Sequence, residues 1–182
     1  MAVERKIRVA TTSLAGCFGC HMSLLDIDER LLGLVEKVDF DRSPITDLKH
    51  CSVDVDLGLI EGGICNAENI HTLREFRARC KVLVAVGSCS ITGGVPAMRN
   101  GISLKECLVE AYVREPGIQS PQIPDDPELP LLLNRVHPIN EVVSVDYYLP
   151  GCPPPAEAFW EMLTAMLQGR EPELTYAMRR FD

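Results

Sequence analysis

A chain of 182 residues is long enough to bury a core, and 46% hydrophobic against 24% charged residues is the composition of a globular protein rather than a disordered one. Lys+Arg number 18 and Asp+Glu 26, a net charge of −8, and aromatics are only 5%. The chain therefore has neither the basic footprint nor the stacking surface of a general nucleic-acid binder. Met1 to Gly16 shows no apolar stretch followed by a small-residue cleavage site, and no run approaches ~18 apolar residues, so no secretory signal and no membrane span are expected. The expected compartment is the cytoplasm. There, the eight cysteines point to metal binding or redox chemistry rather than to disulfides.

Lys6–Thr12 is the first of four short runs, rich in Val and Ile, that read as buried parallel strands. After Gly19, the residues Met22, Leu24, Leu25, Ile27, Leu31, Leu32 and Leu34 recur at three and four with charges between them, the pattern of an amphipathic helix. Val35–Phe40 is a weaker run that fits an edge strand, and Val55–Glu61 is the second strong one. Asn66–Arg79 predicts a helix, Lys81–Gly87 a strand, and Ser103–Val113 a shorter helix with Ser103 as its N-cap. Glu115–Pro138 holds six of the thirteen prolines and almost no periodicity. It is expected to be a long irregular loop whose Leu129, Leu131, Leu132 and Leu133 pack against something. Val143–Leu149 is the last strand, and Ala156–Gln168 the last helix, ending at Gly169. Strands alternating with helices build βαβ units with right-handed crossovers. The expected architecture is an α/β, flavodoxin-like parallel sheet flanked by helices, one domain over residues 1–182 with a proline-rich insertion. Ligands of such sheets sit beyond the carboxyl ends of the strands.

The cysteines sort against that frame. Cys17 and Cys20, in Cys17-Phe18-Gly19-Cys20, follow the first strand; Cys89 follows the strand before Gly87-Ser88; Cys152 follows the last strand in Leu149-Pro150-Gly151-Cys152-Pro153-Pro154-Pro155. All four fall on one edge of one sheet, and four thiolates from three loops meet the requirement of a [4Fe–4S] cluster. Gly16, Gly19 and Gly151 let backbone N–H groups approach such a group, Ser88 adjoins Cys89, and Pro153 and its neighbours stiffen the turn at Cys152. The helix start at Cys20 adds partial positive charge. Structural zinc and a thioredoxin-like dithiol are the alternatives. Zinc sites favour two closely spaced ligand pairs, and a dithiol does not require Cys89 and Cys152. Cys65 is the rival ligand, while Cys51, Cys80 and Cys107 read as spectators, Cys80 and Cys107 in helical contexts. Of the scattered histidines 21, 50, 71 and 137, His21 reads as a helix-surface imidazole. Thr11-Thr12-Ser13 is only faintly similar to a flavodoxin phosphate loop, and no nucleotide-binding glycine motif occurs.

Ser13-Leu14-Ala15-Gly16-Cys17-Phe18-Gly19-Cys20, Glu61-Gly62-Gly63-Ile64, Gly87-Ser88-Cys89 with Gly93-Gly94-Val95-Pro96, and Leu149-Pro150-Gly151-Cys152-Pro153-Pro154, in this order, resemble the small subunit of [NiFe] hydrogenases. Ile123-Pro124-Asp125-Asp126-Pro127-Glu128-Leu129-Pro130 is similar to an insertion of the soluble, bidirectional NAD-reducing branch. The resemblance implies that Cys17, Cys20, Cys89 and Cys152 hold one proximal [4Fe–4S] cluster facing a Ni–Fe site in a separate large subunit. A flavin- and NAD-binding diaphorase subunit and its iron–sulfur partner would complete the hydrogen:NAD+ reaction, in which this chain relays electrons and contributes no catalytic residue. Periplasmic and membrane-bound relatives carry a twin-arginine leader and a further cysteine-rich domain, and neither is seen here. Gly16 stands where a Glu usually precedes the first cysteine. For some members of that branch FMN has been proposed as a further cofactor of this subunit, and no motif for it occurs in this sequence. A complex I type cluster subunit would place two cysteines side by side, which Cys17-Phe18-Gly19-Cys20 does not. An F420-linked or sulfur-linked hydrogenase would differ in its accompanying subunits.

Overall fold

The computed structural model of the chain describes residues 5–180; the leader and chain-end readings at residues 1–4 and 181–182 lie outside them. In chain order the strands are β1 (Ile7–Ser13), β2 (Val38–Phe40), β3 (Val55–Glu61), β4 (Ile64–Asn66), β5 (Cys80–Val86), β6 (Leu132–His137) and β7 (Tyr147–Leu149). The α-helices are α1 (Gly19–Leu25), α2 (Arg30–Val35), α3 (Ala67–Arg79), α4 (Gly87–Thr92), α5 (Leu104–Val109) and α6 (Ala156–Gln168). Five strands pair in the order β2-β1-β3-β5-β7, all parallel, and β4 and β6 form a separate antiparallel pair. Counted along the five-stranded sheet alone, this is the doubly wound order of flavodoxins.

The strands are continuous apolar runs because both faces are covered. Side-chain alternation sends Val9, Leu57, Leu59, Val84 and Val86 to one face, where α1, α2 and α6 bring Leu24, Leu34, Phe159, Met162 and Leu163. Ala10, Ile60, Leu83 and Ala85 face the other way, onto Leu73 and Phe76 of α3. Gly58 is on this second face, and a Cβ there would come 2.3 Å from Cys80 Sγ and 2.9 Å from the Phe76 ring. Neither neighbour is a flexible chain end. Gly58→Ala is therefore expected to cost ~1–3 kcal/mol of stability through overpacking, read from the urea midpoint.

The helix expected after Gly19 breaks in two. Asp28 takes a left-handed φ of 62°, which its short polar side chain tolerates, and the apolar stripe turns with it. Ile27 and Leu34 are buried, while Met22, Leu25 and Leu32 face outward. The weak edge run narrows to β2 because Arg30–Val35 is helical. The last strand shortens to Tyr147–Leu149: the Asp146 carboxylate accepts from Leu83 N at 2.8 Å, the N–H that a continuing strand would pair through its backbone. Val143 and Val145 still pack on the core from outside the ladder. The end of the proline-rich segment is not loop but β6, paired with β4. Its one buried residue is Val136, too little alternation to read as a strand among prolines. Local capping follows the sequence: Asn66 Oδ1 accepts from Asn69 N at 2.8 Å, Ser103 Oγ accepts from Glu106 N, and Gly169 closes α6 at φ 66°.

Candidate metal centre

Three turns at the carboxyl edge of the sheet meet in a small cradle of about 60 Å³. Cys17 and Cys20 enter it from the β1–α1 turn, Cys89 from α4 and Cys152 from the turn after β7; Gly16, Gly19, Ser88, Gly151 and Pro153 line it with them. The structure thus brings together every site residue expected from the sequence. The turns are tied to one another by the backbone. Ala15 and Gly63 exchange both hydrogen bonds, at 3.0 and 2.8 Å, binding the first cysteine turn to the segment after β3. Ser88 donates to Gly151 O twice, from N at 2.8 Å and from Oγ at 2.9 Å, which joins the Cys89 and Cys152 turns. Ser88 is therefore a positioning residue between two loops. Gly87, at φ 79°, lets α4 start directly beneath Cys20: a Cβ would come 2.4 Å from Cys20 Sγ.

The thiols act on one another electrostatically. Burial pushes the Cys20 thiol far above its ordinary range, and Glu61, Cys89 and Cys17 push the same way. Cys89 is raised first by burial, then by Cys152 and Cys17, with the Val95 N–H opposing. A set of thiols that repel one another's anions is stabilised as thiolates by a bound cation, as metal ligands are. Among the described residues, no three His, Cys, Asp or Glu side chains converge closely enough to hold a single metal ion.

Two members of the cradle, Glu61 and Gly62, fall outside the set of site residues expected from the sequence. Glu61 is 3% exposed, with Ser13 Oγ donating to it at 2.9 Å and His21 N at 3.2 Å. Burial alone would raise its carboxyl, but the partners His21, Ser13 and Cys20 outweigh that and hold it below the ordinary range. A charged residue closing an apolar strand just before two glycines was the available signal. His21 is not on a helix surface: it is 5% exposed, stacks on Phe18 at 4.6 Å, and its Nε2 lies 3.0 Å from Thr11 Oγ1. Its Nδ1 stands 3.1 Å from Glu61 Oε1 but off the direction of a hydrogen bond. Thr11 continues the buried polar line to Ser43, 3.0 Å away.

The other cysteines stay out of the cradle. Cys65 is on β4 with its thiol 3.3 Å from Asn69 Oδ1. Cys80 opens β5 rather than sitting in a helix; it is buried in the same core cluster as Cys51, and burial foremost pushes its thiol up to about 12. Cys107 is half-buried on α5.

The family described as NADH ubiquinone oxidoreductase, 20 Kd subunit, matches residues 17–166. The chain is 46% identical over 183 residues to the NAD-reducing hydrogenase HoxS subunit delta of Cupriavidus necator, covering 98% of this chain and 87% of that one. It is 39% identical to a subunit of the F420-non-reducing hydrogenase of Methanothermobacter marburgensis, over 94% of this chain and 57% of the relative's length. Among solved structures, it superposes on a chain of an NAD+-reducing [NiFe]-hydrogenase with a TM-score of 0.94 at 56% identity, covering 98% of this chain and 100% of that one. A [NiFeSe]-hydrogenase chain of Dm. baculatum, 18% identical with a TM-score of 0.58, covers 96% of this chain and 69% of that one and shares the fold alone. Matched over nearly its whole length in sequence and in backbone, the chain belongs to the small-subunit family of NAD-reducing [NiFe] hydrogenases, within the wider family of the NADH ubiquinone oxidoreductase 20 Kd subunit.

Proposed function

We propose that the chain is the electron relay of a cytoplasmic NAD-reducing hydrogenase. In this reading Cys17, Cys20, Cys89 and Cys152 hold one [4Fe–4S] cluster, which when bound accepts and donates single electrons. The observation that carries the reading is the convergence of four cysteines from three turns on one cradle. A structural zinc would need its thiolates about 2.3 Å from one centre. In a cubane each cysteine goes to its own iron, which suits thiols that share a cradle without meeting at a point. Gly19 N, 3.4 Å from Cys17 Sγ, is a backbone donor to a ligand sulfur. Glu61, kept ionised in the wall, adds negative charge and favours the oxidised state, the direction that a relay working near the hydrogen couple needs. Anaerobic purification followed by iron, sulfide and zinc analysis tests the reading. Iron and acid-labile sulfide in equal amounts, with an electron paramagnetic signal on reduction, are expected; zinc without sulfide would refute it.

The relay needs a donor and an acceptor, which in this reading are a [NiFe] large subunit and a diaphorase pair. Cys17 and Cys152 are exposed, so a partner must cover the cluster against oxidation. Apolar side chains project nearby: Val95 is 65% exposed and Met98 77%, on the segment that follows Cys89. Farther along, Leu104, Leu108 and Tyr112 of the α5 region face Ile123, Leu129 and Leu131 across a groove of about 360 Å³. The proline-rich segment thus covers α5 and still leaves Leu131 outward. Leu131→Asp is expected to reduce co-purification of the large subunit several-fold while iron per chain stays unchanged. Unimpaired assembly would remove this surface from the interface.

A further inference from the structure

We propose that the cavity beside the carboxyl ends of β1 and β2 is a binding site for a phosphate-class oxyanion, held by Arg42 and Lys49 with the hydroxyls of Thr12 and Ser43. These residues line a cavity of about 220 Å³, separate from the cysteine cradle. Arg42 is its anchor. The backbone there is fixed, because the Arg42 carbonyl accepts from Thr11 N at 2.7 Å just past the end of β2. Its guanidinium lies over the Phe76 ring, 5.6 Å from the centroid, and its Nη1 is buried with no hydrogen-bond partner. None of the ion pairs among the described residues includes it. The neighbouring Asp41 makes no ion pair with it; its two carboxylate oxygens accept from Ser52 N and Oγ.

A guanidinium nitrogen removed from water without a partner is costly, and an anion bound at the same guanidinium offsets that cost. Arg42 is the sort of group that binds a tetrahedral oxyanion through two N–H donors, and Lys49 adds a second positive charge. Thr12 and Ser43 supply hydroxyl donors: Ser43 Oγ accepts from Ile45 N and from Thr11 Oγ1, which leaves its own hydrogen for the anion. Two cations with two hydroxyls match a dianion better than a carboxylate, whose single charge Arg42 alone would satisfy. The sign runs against the chain as a whole, which carries −8. The location is also one where parallel α/β sheets bind ligands, outside the carboxyl ends of strands. The site is independent of what the cysteines hold.

The test is calorimetric titration of the full chain with inorganic phosphate at ionic strength held constant by chloride. Saturable binding is expected for the wild type. Arg42→Gln is expected to weaken it at least ten-fold, with Arg42→Lys between the two. Lys49 is exposed, so Lys49→Ala leaves the fold intact and is expected to weaken binding several-fold even where Arg42→Gln disturbs folding. Ribose 5-phosphate identifies the source: tighter binding than phosphate assigns the site to a phosphomonoester, and equal or weaker binding to the free anion. Absence of saturable binding by the wild type, or binding unchanged in Lys49→Ala and in folded Arg42→Gln, overturns the proposal.

Discussion

Cys89→Ala is expected to bring bound iron to background and to abolish hydrogen-dependent NAD+ reduction by the assembled enzyme. Cys89 is the only cysteine that α4 brings to the cradle, and its thiol is influenced by Cys152 and Cys17 from two other turns. Removing it leaves one iron without protein sulfur in a site that no other described cysteine reaches. Cys65, the sole sequence-level rival, points to Asn69 instead. The contrast is built into the experiment. Cys51→Ser, Cys65→Ala and Cys107→Ser are expected to keep full iron, and Cys80→Ala to keep it while losing about 1 kcal/mol of packing against Phe76 and Gly58. Iron retained by Cys89→Ala and lost by Cys65→Ala would transfer the ligand role to Cys65.

Gly87→Ala, a substitution that replaces no ligand, is expected to displace the cluster nearly as effectively. The backbone at Gly87 has φ 79°, which costs a residue with a Cβ roughly 1–2 kcal/mol. The added methyl would come 2.4 Å from Cys20 Sγ, in a wall where Ser88 and Gly151 already hold the opposite side. Cys20 must move or α4 must tilt, and either separates thiols that a cluster needs in fixed geometry. A fall in iron per chain of more than half, with a lowered thermal midpoint, is the expected result. Gly101→Ala is the control, since a Cβ there meets nothing within 4 Å. Equal iron in both variants would show that the cradle tolerates a shift at Cys20.

Much of the architecture was legible because it depends on local pattern. Val55–Glu61 and Ala156–Gln168 occur with the bounds that their periodicity predicts, since a strand covered on both faces and a helix with one apolar stripe each leave a periodic mark. The placement of four cysteines after strand ends was legible for the same reason: once the strands are known to be parallel, their carboxyl ends share one edge. Where sequence and structure part, a long-range contact decides. Leu132–His137 becomes a strand only because Ile64–Asn66, far back in the chain, offers it a partner. Val143–Val145 leaves the ladder because a single carboxylate at Asp146 takes the N–H of Leu83.

The candidate metal ligands and the chain positions of the five parallel strands were thus legible in the sequence itself, through spacing and patterning that residues carry locally. The walls of the cradle were decided by the tertiary structure. Glu61, His21 and Thr11 lie on three different elements and form a buried polar line only after β1, β3 and α1 pack together. Arg42 likewise became a cation without a partner only when β2 docked beside β1 and turned its guanidinium over Phe76. A charge has no meaning as a site until folding decides what surrounds it, because the cost of burying it and the partners that offset that cost both come from residues distant in the chain.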